Sequence, residues 1–99
     1  MATFISTIKF TQQGIQNIQQ SPKRAAALKS AVKKMGVKVT GIYWTLGSFD
    51  GVLIFDAPND ETATAAMLHL SSQGNVQTIT SRAFDSSEFN KVVGLMTKK

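Results

Sequence analysis

No cysteine occurs in the 99 residues. Disulfides, thiolate metal sites and a cysteine nucleophile are therefore excluded. The single histidine, His69, cannot build a multi-histidine metal centre within one chain. No apolar run approaches the length needed to span a bilayer. The amino terminus, MATFISTIKF, has no basic region followed by a long apolar stretch, so it does not read as a secretory signal. These absences point to a cytoplasmic protein without a membrane segment. Walker, Rossmann and nucleophile-elbow motifs are missing, as is the glycine-aromatic signature of sheet-type RNA binders. No cofactor is implied.

What is present is the composition of one globular domain, residues 1–99. An apolar share of 42% and a charged share of 17% are values of a folded chain, not a disordered one. The net charge is +5, from 11 Lys and Arg against 6 Asp and Glu. Besides Lys9 and Arg82, the cations are spread over Lys23, Arg24, Lys29, Lys33, Lys34 and Lys38, then Lys91, Lys98 and Lys99. This pattern reads as solvated helix faces and a tail, and weighs against nucleic acid as the partner.

Periodicity assigns the elements. FISTIKF alternates as a first strand, with Phe4, Ser6, Ile8 and Phe10 on one side. Thr11 suits a helix cap. Ile15 and Ile18 make one short stripe, and Leu28, Ala31, Val32 and Met35 make a second that is out of phase with it. Ser21-Pro22 lies between them, with Ser21 read as the cap of a new helix from about Pro22 to Met35. VKVTGIYWT is a second strand, alternating strictly, with Val39, Gly41 and Tyr43 on one side and Ile42 and Trp44 on the other. LGSF is read as a tight hairpin turn through Gly47. FDGVLIFDA is a third strand. A helix follows Asn59 or Asp60, with Ala63, Ala66, Met67 and Leu70 buried. NVQTITSRAF is a fourth strand. DSSEFNKVVGLM is a last helix, with Phe89, Val92, Val93 and Met96 as its apolar positions. The order is βαββαβ plus a C-terminal helix, the ferredoxin-like pattern of class α+β.

Both crossover helices in that pattern cover the same face of a four-stranded antiparallel sheet. The third strand is apolar on both faces, Val52 and Ile54 on one and Leu53 and Phe55 on the other. A bare apolar face invites association. The simplest cover is the same face of a second subunit, giving a homodimer or higher homo-oligomer in the form of a dimeric α/β barrel.

Three tracts, TQQGIQNIQQSPKR, YWTLGSFDGVLIFDAPNDETA and GNVQTITSRAF, together resemble the GYD domain family. The Gly-x-Tyr-Asp tract of its name is written here as Gly47-Ser48-Phe49-Asp50, with Phe49 in place of Tyr. The resemblance runs from Phe4 to about Val93. It implies a small bacterial protein with a ferredoxin-like, dimeric α/β-barrel fold, and it supplies no catalytic residues.

Five residues are candidates for a ligand site: Arg82, Asp50, Tyr43, Thr80 and His69. Arg82 shares a strand face with Thr78 and Thr80. A guanidinium there needs a carboxylate, Asp50 or Asp56, or else serves as an anion anchor inside the barrel. Asp50 follows the hairpin and either bonds turn amides or stands at the barrel mouth. Tyr43 and Trp44 face opposite ways, so one belongs to the helix side and the other to the barrel side or an edge. His69 lies on the flank of its helix as a boundary residue, a proton carrier or an axial haem ligand. SPKR sets two cations at a helix amino terminus, which could attract phosphate, though without a glycine-rich loop. The expected function is a homo-oligomeric module that binds a small anionic or aromatic ligand or regulates a partner. The alternatives are a cofactor-free monooxygenase- or isomerase-like enzyme of the same architecture and, more weakly, a nucleic-acid binder.

Overall fold

The computed structural model describes residues 1–96, so Lys98 and Lys99 lie outside the described residues. Four strands form one sheet: β1 (Ala2–Phe10), β2 (Lys38–Trp44), β3 (Gly51–Ala57) and β4 (Val76–Ala83). Their order is β2-β3-β1-β4, and every neighbouring pair is antiparallel. Four α-helices complete the described residues: α1 (Gln12–Gln16), α2 (Ser21–Lys33), α3 (Asp60–Ser72) and α4 (Ser86–Gly94). This is the ferredoxin-like α+β arrangement with an added C-terminal helix.

The helix boundaries have local causes. Thr11 Oγ1 accepts the Gly14 N–H at 3.1 Å and donates to the Gly74 carbonyl at 2.6 Å, so one hydroxyl caps α1 and ties it to the end of α3. A 3₁₀ turn at Ile18–Gln20 carries the chain from α1 into α2. Here the expected cap is corrected. Gln20 occupies the cap position and Ser21 is already helical. The Ser21 hydroxyl instead accepts the Trp44 Nε1–H at 3.0 Å, joining α2 to β2. Asn59 caps α3 by accepting the Thr62 N–H at 2.8 Å, and Asp60 and Glu61 follow where the helix dipole favours acids. Asp85 and Glu88 close a reciprocal capping box on α4.

The core lies between the sheet and the pair α2 and α3. Phe4 stacks on Phe55 with ring centroids 5.4 Å apart. Leu28 and Val32 of α2, and Ala63, Ala66 and Met67 of α3, close over them together with Leu53 and Ala57. Ser6 is fully buried in this layer, its hydroxyl 2.9 Å from that of Thr80. Sharing that bond leaves no unpaired polar group in the core at this point.

The strict alternation expected of β2 fails. A bulge between Val39 and Gly41 shifts the register, so that Val39 lies opposite Phe55 and Ile42 opposite Leu53. Val39, Ile42 and Trp44 therefore share the helix-side face, and Gly41 and Tyr43 share the other. An interior glycine next to Thr40 marks the site of the extra residue. The turn between β2 and β3 is also longer than a tight hairpin, running from Thr45 to Asp50. The Thr45 N–H donates to the Asp50 carbonyl at 3.0 Å and closes the loop.

Two glycines separate two physical effects. A Cβ on Gly14 would stand 2.0 Å from the Asn75 carbonyl oxygen, so α1 can approach β4 this closely only without a side chain. Gly47 has φ of 140° and open space around it, so only its backbone conformation resists replacement. Gly14→Ala is expected to cost about 2 kcal/mol by overpacking against backbone. Gly47→Val is expected to cost about 1–2 kcal/mol through strain alone. Denaturant melts of both variants check this, and an unchanged midpoint for Gly14→Ala would refute the close approach.

Candidate functional site

The register divides the candidate residues between two places. A cavity of about 270 Å³ lies between α2, α3 and the helix-side face of the sheet, and Asp50 and His69 are among its lining residues, as is Tyr43, although its ring turns to the other face of the sheet. Thr80 and Arg82 instead line a more open groove between α3 and β4, beside Phe4 and Met67. The five residues do not converge on one point.

Arg82 pairs with neither Asp50 nor Asp56. Its Nη2 donates to Glu88 Oε2 at 3.1 Å, and its Nη1 donates to the carbonyls of Thr3, at 3.2 Å, and Ala83. The guanidinium carbon stands 4.5 Å from the centre of the Phe84 ring and 5.8 Å from that of Phe4. The register sets Arg82 opposite Phe4 and Thr80 opposite Ser6, so this polar strand face turns toward α3 and not into a barrel interior. Arg82 thus holds α4 against the end of β4. Glu88 also accepts the Asp85 N–H at 3.1 Å. That backbone hydrogen bond, followed by the Arg82 side chain, lowers the Glu88 carboxyl from its ordinary range.

The two aspartates serve the backbone and a neighbouring strand. Asp50 Oδ2 accepts the Phe10 N–H at 2.8 Å, and the Asp50 N–H donates to the Ile8 carbonyl at 2.7 Å. The residue therefore stitches the β2–β3 loop to the end of β1, where the ladder runs out of partners. Asp56 Oδ1 accepts the Thr3 hydroxyl at 2.6 Å.

Of the adjacent aromatics, Trp44 faces the helices and Tyr43 the opposite side. The Tyr43 ring lies over Gly41, where an added methyl would come 3.1 Å from its Cε2 atom. On that open face Ile5, Val52, Ile54, Tyr43 and Ile79 are neighbours by register. Ile79 is 75% exposed and Tyr43 60%. Lys9, Lys38, Asp56, Gln77 and Ser81 surround them. α4 adds a second uncovered apolar surface, since none of its residues is buried and Phe89 and Val93 are exposed, as is Met96 just beyond its end.

A second arginine, outside the five candidates but within the SPKR tract, also borders the cavity. Arg24 lines the cavity on α2, and its Nη2 is buried without a hydrogen-bond partner among the described residues. Its Nη1 donates to the Asn17 carbonyl at 2.9 Å. The signal in the sequence was a cation in the first turn of a helix with no acid beside it.

A four-stranded antiparallel sheet with helices on one face places the chain among ferredoxin-like α+β proteins. The chain belongs to the GYD family: the GYD domain model matches residues 4–93. A protein of Thermus thermophilus described as a glutamine synthetase and cystathionine beta-lyase binding protein is 34% identical over 84 residues, covering 84% of this chain and 88% of that one. A crystal structure of a protein from the same organism superposes with a TM-score of 0.57 at 22% identity, covering 87% of this chain and 96% of that one, which shows likeness of fold. No helix among the described residues is long and apolar enough to cross a membrane.

The Glu88 carboxyl gives a pH prediction. Because its folded pKa is depressed, its contribution is present above the ordinary glutamate range and is lost as pH falls through the folded value. Amide protection in α4 should therefore fall on acidification before that of β1 and β3. Hydrogen exchange measured below the ordinary carboxylate range tests this, and simultaneous loss in α4 and the central strands would refute it.

Proposed function

We propose that this protein is a homo-oligomeric binding module of regulatory type, with no catalytic step of its own. It self-associates through the open face of its sheet and takes a small ligand in the cavity on the helix side. The observation that carries the reading is the uncovered apolar cluster of Ile5, Val52, Ile54, Tyr43 and Ile79, ringed by polar side chains. An apolar centre inside a polar rim is the anatomy of a protein interface.

A second copy is the occupant that the area fits. Four strands spaced about 4.8 Å apart and about seven residues long present roughly 450 Å² per subunit. Doubled, this is about 900 Å², and the exposed apolar residues of α4 would have to join it to reach the low end of a stable specific interface, about 1,200 Å². Two sheets face to face form the dimeric α/β barrel.

The relative described as a binding protein for two enzymes supports binding rather than catalysis as the role of this chain, with an enzyme as a protein partner. The enzyme alternative would draw its acid and base from Asp50 and His69, which both line the cavity. Asp50 already serves the Phe10 N–H, a structural duty that favours the binding reading.

Ile54 gives the test. Light scattering at micromolar concentration is expected to return a dimer or larger for the native chain. Ile54→Asp, which sets a charge in the middle of the open face, is expected to yield a monomer with an unchanged circular dichroism spectrum. A monomeric native chain would overturn the self-association reading.

A further inference from the structure

We propose that the cavity between α2, α3 and the sheet binds a small apolar monocarboxylate, with Arg24 as the residue that holds its head. The inference deepens the ligand-binding reading above and rests on it.

The walls set the body of the ligand. Ala25 and Leu28 of α2, Leu70 of α3, and Ile42, Leu53 and Val76 of the sheet enclose about 270 Å³. That is close to the lower limit of small-molecule pockets, and an apolar lining with few polar groups is their usual character. A single ring or a short alkyl chain suits this volume better than a nucleotide or a peptide.

Two donors set the head. Arg24 Nη2 is buried with no partner among the described residues, whereas its Nη1 is engaged by the Asn17 carbonyl. Among the described residues the one ion pair is Arg82 with Glu88, so no described carboxylate answers Arg24. A guanidinium nitrogen left without an acceptor calls for one, and because Nη2 is closed off in the unliganded chain the head of Arg24 must turn into the cavity to meet it. Three residues earlier, on the same side of α2, the Ser21 hydroxyl accepts from Trp44, and its own O–H donates to no described group. Both residues line the cavity. With the Arg24 head turned inward, the two would offer donors to one carboxylate.

Charge narrows the class further. Lys23 and Arg24 stand in the first turn of α2, where no acid offsets them. A cation is unfavourable at that end of a helix dipole, and an arriving anion relieves it. Asp50, whose side chain is tied to β1, lines the same cavity. Asp50 repels any anion there, and a second negative charge adds to that repulsion, so a monocarboxylate is favoured over a dicarboxylate or phosphate.

Trp44 is the sole tryptophan, lines the cavity and is bonded to Ser21, so its fluorescence reports on the site. Phenylacetate and hexanoate are titrated into the native chain beside phenylacetamide and hexanamide, which match them in shape but lack the charge. Saturable fluorescence changes are expected for the acids, with the amides weaker by about tenfold or more, the scale of one charge-assisted hydrogen bond. Arg24→Met is expected to weaken the acids to the level of the amides and leave amide binding unchanged, and Ser21→Ala to weaken the acids by a smaller factor. If acids and amides bind the native chain equally, the carboxylate inference is overturned while the cavity stands as a ligand site. If none of the four perturbs Trp44, both this inference and the ligand-binding part of the proposed function are overturned. The native-chain comparison needs no variant to fold.

Discussion

The pleat of the four-stranded sheet sends successive side chains to opposite faces, and α2 and α3 both pack on one of them. Everything else is arranged around that asymmetry. The covered face gathers Phe4, Leu53, Phe55 and Ala57 and is sealed by small helix residues such as Ala63 and Ala66, which let α3 lie close. The uncovered face keeps Ile5, Val52, Ile54 and Ile79, over which no described element packs. Polar groups that fall on the covered face must be paired there. Ser6 and Thr80 share a hydroxyl contact, and Arg82 takes carbonyls, a carboxylate and an aromatic ring.

Much of this was legible in the chain. Apolar alternation marked the strands, and the out-of-phase stripes around Ser21-Pro22 marked the break between α1 and α2. The two-sided apolarity of β3 foretold that one face would lack cover. The bulge in β2 was harder to read. Strict alternation puts Val39 with Tyr43, whereas the extra residue near Thr40 returns Ile42 and Trp44 to the helix side. A single residue of slip exchanges the faces of everything after it. Gly41 was the local sign of it, but an interior glycine does not reveal whether the register shifts or the strand merely thins.

The two arginines show why the site was only partly legible. Arg82 stood out because a strand-borne cation among threonines looked unexplained. Its partner, Glu88, lies on the next helix, six residues on, and only the turn at Phe84-Asp85 brings the two together. Arg24 reads from the sequence only as one of the two SPKR cations at a helix amino terminus, a weak anion signal without a glycine-rich loop. What distinguishes it is the 3₁₀ turn before α2, which places the Asn17 carbonyl against one of its nitrogens and leaves the other buried. Pairing across elements is a property of the fold, so residue type alone ranked the satisfied arginine above the unsatisfied one.

Strand β2 joins the two surfaces proposed for association and for ligand binding. Tyr43 contributes its ring to the open face, and Trp44, the next residue, contributes its indole to the cavity side and its Nε1–H to Ser21. β2 is also an edge strand, held by β3 on one side only. Substitutions at Tyr43 and Trp44 therefore share a backbone and are poor probes for telling association from ligand binding. Ile54 on β3 and Arg24 on α2 are better ones. The first lies on the open face of a central strand, the second on a helix that packs on the opposite face. Their effects should add if the two surfaces are independent, and any departure from additivity would measure how far β2 couples them.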